Sequence, residues 1–258
     1  MTWTIVVCVK QVPDDNEIGI DPDTGRLDRA SAPAVLNPPD YDALEAALSV
    51  SNTVGGDVIA VTMGPPNAMS VLEQAVAIGC DGGVLITDRA FAGSDTWPTS
   101  LTLARAATAL EADIVVCGEE TTDSSTGQVP PGIAAHNGWA QLTYVEDLEP
   151  WPEEDKLEAR RDVEGGYELV VADLPVVVAV AYGQFETRPA GLHRKLYAET
   201  EFEPVQWTAA DLGIEDEVGL VVSPTAVGTM DTVQPVERDG EVVDEVCDLA
   251  DRIEEAIA

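Results

Sequence analysis

Apolar residues fall along this chain in two rhythms. Ile5–Val9, Val58–Thr62, Val84–Thr87 and Ile114–Cys117 are short, nearly continuous apolar runs, the mark of parallel strands buried on both faces. Between them the apolar positions recur at helical spacing. Tyr41, Leu44, Ala47 and Leu48 predict a helix capped by Asp40, with Asp42 and Glu45 in its first turns. Ala68–Ile78 is a second helix, closed by Gly79, and Thr99–Leu110 a third. Strand and helix alternate, so the right-handed crossover rule predicts an α/β fold with a doubly wound parallel sheet. Ligands of such sheets sit beyond the carboxyl ends of the strands.

After Asn137 the rhythm changes. Leu157–Arg161, Tyr167–Val171 and Val176–Ala181 are strand-like, with Glu164-Gly165-Gly166 as a hairpin turn. The acidic Asp147–Asp155 segment holds two prolines and is expected to be a surface loop. Asp14–Arg29, rich in Asp and Gly, is expected to be a solvated hairpin turning at Asp21–Gly25; it lacks the spacing of a calcium loop. From Gln184 onward periodicity fades, until Val243–Ile257 returns as an acidic amphipathic helix. The expected division is therefore a nucleotide-binding α/β domain over 1–183 and an extension over 184–258 that packs on a partner.

The chemistry concentrates after the fourth strand. Gly118 ends that strand, and Thr121–Thr126 is a run of small residues that all carry hydroxyls except Asp123. Gln128 opens a helix with Pro130 and Pro131 in its first turn, where a missing N–H costs little. A strand emptying through a small-residue loop onto a helix N-terminus suits a phosphate. A solvated turn in which Asp123, Ser or Thr caps the next helix is the simpler alternative for the loop alone. Cys8 to Pro13, Met63 to Pro66 and Gly118 to Gln128 gather at one rim, which the Asn37–Asp40 segment can reach. None of these segments contains histidine or pairs a nucleophile with a base, so the rim is one for binding.

Charge narrows the picture. The 258 residues carry 48 acidic and 13 basic side chains, a formal net charge of −35, and 45% are hydrophobic. The regular apolar runs argue against disorder. Nucleic acid needs clustered Lys and Arg, which are missing. An acidic, lysine-poor surface over a well-patterned core suits a high-salt cytoplasm, where the Debye length falls to about 3 Å at 1 M. The four cysteines form no Cys-x-x-Cys and are expected to be buried free thiols. No run of eighteen apolar residues would span a membrane, and the N-terminus has no signal-peptide pattern. His136 and His193 are expected on a helix surface and in a loop.

Several segments in order resemble the β subunit of the electron transfer flavoprotein. Val9-Lys10-Gln11-Val12-Pro13-Asp14 is similar to the family's first strand exit. Asn37-Pro38-Pro39-Asp40-Tyr41 through Leu48 resembles its Asn-Pro helix, and Ala77–Asp81 its Ala-x-Gly-Ala-Asp turn. Gly118 through Gln128 resembles its nucleotide loop without a gap. Arg161–Gly166 and Leu174-Pro175 resemble a later hairpin, and Glu186–Leu192 the loop that docks partner dehydrogenases. Together these cover essentially the whole chain, with a haloarchaeal character closest to the nitrogen-fixation-associated form through Ser223-Pro224-Thr225.

The resemblance implies an adenine-nucleotide α-hydrolase-like, Rossmann-like domain in a heterodimer, with a tail that wraps the α subunit. It implies an electron carrier, not an enzyme, serving acyl-CoA or other flavin dehydrogenases in processes such as fatty acid oxidation. Electrons would pass on through electron transfer flavoprotein-quinone oxidoreductase. FAD would be held mainly by the α subunit, with AMP or a second FAD in this one. The positions matching the nucleotide site are Cys8, Asn37, Pro38, Pro39, Asp40 and Met63, then Gly118, Asp123, Ser124, Ser125, Thr126, Gly127, Gln128 and Val129. Those matching the docking segment are Glu186, Arg188, Leu192, Arg194 and Lys195. The loop departs from the family at Glu119-Glu120, and at Ser125, where bifurcating members carry an acid. The alternative class is a free-standing universal-stress-type nucleotide binder, whose Gly-x-x-Gly run and later Gly-Ser/Thr pair do not occur at suitable spacing. Gly-x-Gly-x-x-Gly and Gly-x-Ser-x-Gly are also missing, against a nicotinamide dehydrogenase and a hydrolase.

Overall fold

The computed structural model describes residues 2–14, 19–20, 27–28, 33–226 and 246–257. It falls into two compact units, Met1–Ala226 and Val227–Ala258. In the first, the central strand β1 is Thr4–Cys8, followed by β2 (Gln11–Pro13), β3 (Gly19–Ile20), β4 (Leu27–Asp28) and β5 (Ala34–Leu36). Then come α1 (Pro38–Val54), β6 (Asp57–Met63), α2 (Met69–Ile78), β7 (Gly82–Ile86), α3 (Thr96–Ala109), β8 (Ile114–Gly118) and α4 (Val129–Asn137). The chain continues through β9 (Ala140–Trp151), β10 (Lys156–Val163), β11 (Gly166–Asp173), β12 (Val176–Val180), α5 (Leu192–Thr200) and β13 (Val205–Trp207). The described part of the second unit is α6, Val246–Ile257; of the acidic helix expected over Val243–Ile257, residues 243–245 lie outside the described residues.

Nine strands form one sheet in the order β11-β10-β9-β12-β8-β1-β6-β7-β13. The seven from β9 to β13 are parallel, and β10 and β11 add an antiparallel flap at one edge. The apolar runs alternate between two cores, as a period of two requires. Ile5, Ile114 and Val176 pack with α1 and α2 on one face. Val6, Val115 and Val177 pack with α3 and α4 on the other. Helices on both faces make the sheet doubly wound, as the sequence pattern predicts.

Three local expectations need correction. Asp147–Asp155 is not a loop: most of it belongs to β9, a 12-residue strand pinned between β12 and β10. Its acids lie on a solvent-facing side, and a positive φ at Tyr144 (56°) interrupts the alternation that would have revealed it. Asp40 does not cap α1. Asn37 occupies the cap position with Pro38 and Pro39 behind it, and the Asp40 carboxylate turns inward. Leu192 and His193 lie in a helix rather than a loop, α5, which packs on α2 through buried Ala198.

The fading periodicity after Gln184 also conceals structure. β13 extends the sheet beside β7, and Ala209, Ile214 and Val218 enter the second core. Strands β3 and β4 pair antiparallel as the expected hairpin, although Asp21–Gly25 lies outside the described residues. Of the cysteines, Cys80 and Cys117 are buried and Cys8 is half-buried, all three as free thiols. His136 is half-buried on α4, edge-on to the Trp97 ring of α3 with centroids 4.6 Å apart.

Candidate functional site

The chain leaves β1 through α1 toward β6 and β7, but leaves β8 through α4 toward the opposite edge. Neighbouring strands whose outgoing connections diverge open a crevice at their carboxyl ends, where ligands of such sheets bind. Asn37 and Asp40 are the buried polar residues at this point, 0% and 4% exposed.

Asp40 accepts from the Lys10 backbone N–H at 2.8 Å and from Asn37 Nδ2 at 2.9 Å, and also from the Gly118 N–H. Burial drives its carboxyl up to about 7, although all three donors favour the charged form. Asn37 completes the knot: its Nδ2 donates to the Glu120 carbonyl at 3.0 Å, and its Oδ1 accepts from the Thr122 N–H at 3.1 Å. One side chain therefore ties the start of α1 to the loop after β8. Gly118 is required for this closeness, because a Cβ there would lie 2.7 Å from Asp40 Oδ1 and 2.9 Å from Pro39 Cβ.

The loop itself is a compact turn. Ser125 N–H donates to the Thr121 carbonyl at 2.7 Å, and residues 122–128 are exposed. Ser125 and Gly127 both adopt positive φ, 45° and 61°. Thr121 Oγ1 donates to Asp123 Oδ1 at 2.7 Å and exchanges a hydrogen bond with Ser124 Oγ. Gln128 accepts from Thr96 Oγ1 at 2.9 Å, which couples the loop to α3. Burial raises the Asp123 carboxyl, but the Lys10 ammonium and the Thr121 hydroxyl outweigh it and hold the group below its usual range. Glu119 goes the other way, raised by burial and by the neighbouring charges of Glu120 and Asp42.

At the same rim, Cys8 ends β1 in register with Cys117 of β8, and Met63 ends β6. Gln11 bridges to the β6 exit, donating to the Asn67 carbonyl and to Ser70 Oγ, each at 3.0 Å. The structure thus brings the rim segments together, and adds two residues absent from the sequence-derived set. Lys10 reaches the loop, and Thr121 anchors its turn. The sequence signal for Lys10 is a rare lysine directly after a strand.

The segment that the resemblance singles out for docking lies elsewhere, along α1 and α2. The Arg188 guanidinium grips Glu45 of α1 at 2.7 and 2.8 Å, and its backbone N–H adds a third bond at 3.0 Å. Burial raises the Glu45 carboxyl, but the arginine more than offsets this and leaves it lowered. Arg194 donates to the Val76 and Cys80 carbonyls at the end of α2. Both cations are thus used inward. Leu192 is 84% exposed at the first position of α5, and Glu186 and Lys195 are exposed. Between α1, α2, α5 and the 187–190 segment lies a groove of about 520 Å³, with Lys195 and Arg188 in its lining.

Among the described residues no cluster of three His, Cys, Asp or Glu could hold a metal, and no helix is long and apolar enough to cross a membrane. The family described as "Electron transfer flavoprotein domain" matches residues 24–209. The chain is 42% identical to the electron transfer flavoprotein subunit beta of Clostridium acetobutylicum, over 93% of this chain and 92% of that protein. This chain belongs to the electron transfer flavoprotein family. It is also 41% identical to the protein FixA of Azorhizobium caulinodans, over 86% of this chain and 82% of the relative. The caffeyl-CoA reductase-Etf complex subunit CarD of Acetobacterium woodii is 40% identical, over 86% and 85%. Both the switch-point crevice and the docking segment fall largely inside the matched region of the electron transfer flavoprotein family.

Proposed function

We propose that this chain is the β subunit of a heterodimeric electron transfer flavoprotein, a carrier that takes electrons from flavin dehydrogenases. The observation that carries the reading is the switch-point crevice, in which Asn37 and Asp40 lash α1 to the 118–128 loop, inside a chain of this family. The residues fit an adenine nucleotide. Gly118 lets the loop lie against the start of α1, the Ser124–Thr126 hydroxyls are exposed, and the turn holds two left-handed residues, a backbone form found in anion-binding turns. The group bound here is AMP or a second FAD, while the FAD that supplies reversible electron acceptance is held mainly by the α subunit. This chain's own part is to hold the nucleotide, to bind the α subunit through the 184–258 extension, and to dock the dehydrogenase through Leu192.

Relatives named FixA, together with Ser223-Pro224-Thr225, favour the nitrogen-fixation-associated form. In this structure Thr225 donates to Asp95 Oδ2 through both its N–H and its hydroxyl, each at 2.7 Å, so the motif is pinned to the start of α3. CarD is named as a subunit of a caffeyl-CoA reductase-Etf complex, which supports a partner acting on a CoA thioester. An acyl-CoA dehydrogenase of fatty acid oxidation as donor and a quinone oxidoreductase as acceptor are part of the same proposal. The net charge of −35 supports a halophilic, cytoplasmic setting.

Co-expression with the α subunit and a count of released nucleotides tests the reading. The expected result is a stable heterodimer carrying one FAD together with either AMP or a second FAD, reducible by a dehydrogenase. Failure to pair, or a heterodimer without nucleotide beyond the α-subunit flavin, overturns it.

A further inference from the structure

We infer that Lys10 is the phosphate-binding cation of the rim, held by Asp123 until a phosphate oxygen takes that carboxylate's place. The inference deepens the nucleotide reading and rests on it. Residues 118–129 contain no Lys, Arg or His, yet they include Glu119, Glu120 and Asp123. A phosphate monoester brings about −1.5 to −2 of charge, so the loop alone would meet it with like charge. Helix α4 offers little relief, because Pro130 and Pro131 remove two N–H donors from its first turn. The cation must come from another element.

Lys10 is placed to supply it. Its N–H is bound by Asp40 at 2.8 Å and its carbonyl by the Asn37 N–H at 2.9 Å, so the stem is fixed where β1 ends. From there Nζ lies 2.7 and 2.8 Å from the two Asp123 oxygens and 3.5 Å from Thr121 Oγ1. The pair is open to water, with side chains 41% and 30% exposed. An open ion pair is weak, so trading the carboxylate for a more highly charged phosphate is favourable. Thr121 then keeps Asp123 bonded after the lysine has left. Asp123 is thus a placeholder that keeps the ammonium pointed at the loop.

A second role for the same contact would be purely mechanical, a clasp that closes the loop. The two roles predict opposite signs at Asp123. The test uses the full chain co-expressed with its α subunit, freed of nucleotide, and titrated separately with AMP and with adenosine. Lys10→Met, which keeps the stem, is expected to weaken AMP about tenfold or more and leave adenosine unchanged. Lys10→Arg restores most of the loss. Asp123→Asn, in an exposed loop, is expected to hold or tighten AMP, and it keeps the test decisive should Lys10→Met fail to fold. If Asp123→Asn and Lys10→Met both weaken AMP and adenosine alike, the clasp is the whole role and the inference falls while the nucleotide reading stands. If the wild-type heterodimer binds neither probe, the nucleotide reading itself falls.

Discussion

The crevice and the docking segment are built on opposite plans. In the crevice the polar atoms are turned inward and used up: Asn37 makes three side-chain hydrogen bonds, and Asp40 is 4% exposed. In the docking segment the two arginines are turned inward and the apolar residue outward: Arg188 and Arg194 bind α1 and α2, and Leu192 stands 84% exposed. The first plan makes binding inseparable from folding, because the atoms that shape the loop also hold it to the domain. The second separates the two, since a residue that touches little of its own chain can change without cost to the fold.

Dilution of salt acts on both regions at once and marks the upper end of the scale. At about 0.1 M the Debye length grows to ~10 Å, and a chain of net charge −35 repels itself. The thermal midpoint is expected to fall steeply between molar and low salt, with crevice and docking segment lost together. A midpoint independent of salt would show that the acidic surface is neutral for stability.

Asp40→Asn strikes the crevice plan directly. All three partners of the carboxylate are donors, and an asparagine presents one acceptor and its own two hydrogens to them. A loss of about 3 kcal/mol of stability is expected by denaturant titration, with nucleotide lost in parallel. The pH dependence has a definite sign. The folded carboxyl sits near 7, above its ordinary 3.8, so its contribution is fully present below 3.8 and fades as pH rises through 7. The stability gap between wild type and Asp40→Asn, measured in constant salt, should therefore narrow from pH 5 to 7 and level off above. A gap that widens over that range would refute the assignment.

Leu192→Ala strikes the other plan. Truncating it should leave the melting curve, heterodimer assembly and nucleotide content unchanged. Electron transfer from the dehydrogenase should weaken by the worth of one buried leucine, roughly 1.5–3 kcal/mol, or about ten- to a hundredfold in affinity. Should the variant unfold while the surviving fraction docks normally, the two plans are not separate after all.

What the sequence disclosed follows the same division. Strands β1, β6, β8 and β12 are buried on both faces, so continuous apolar runs announce them. Strand β9 hides because only Leu142 and Val145 are fully buried in it and a positive-φ residue separates them. The segments that the family resemblance singles out do meet at one rim, but the inward turn of Asp40 is not legible in the sequence. A carboxylate before a helix looks like a cap until the position of Gly118 across the crevice is known. Lys10 was missed for a related reason: its partner lies 113 residues away, and no local pattern links them. Leu192 enters only through the resemblance, because α5 buries a single residue, Ala198, and such a helix leaves almost no periodic trace.

Gly127→Ala is the smallest and finest probe, because it separates shape from space. A Cβ at Gly127 would lie 3.6 Å from the Glu119 carbonyl oxygen, an ordinary contact, so nothing there blocks a side chain. The cost comes from the backbone, held at φ 61°, which an L-residue adopts at about 1 kcal/mol. The strain sits in an exposed turn, outside the Asn37–Asp40 knot, and the loop can relax by flipping that residue without unfolding the domain. Global stability is therefore expected to change by less than about 1 kcal/mol, whereas AMP affinity drops several-fold as the backbone groups after Ser125 lose their aim. A β-branched residue, stiffer in this region, should lose the nucleotide altogether. If Gly127→Val keeps its nucleotide and its fold, the left-handed turn is not part of the site, and binding rests on the buried half of the crevice alone.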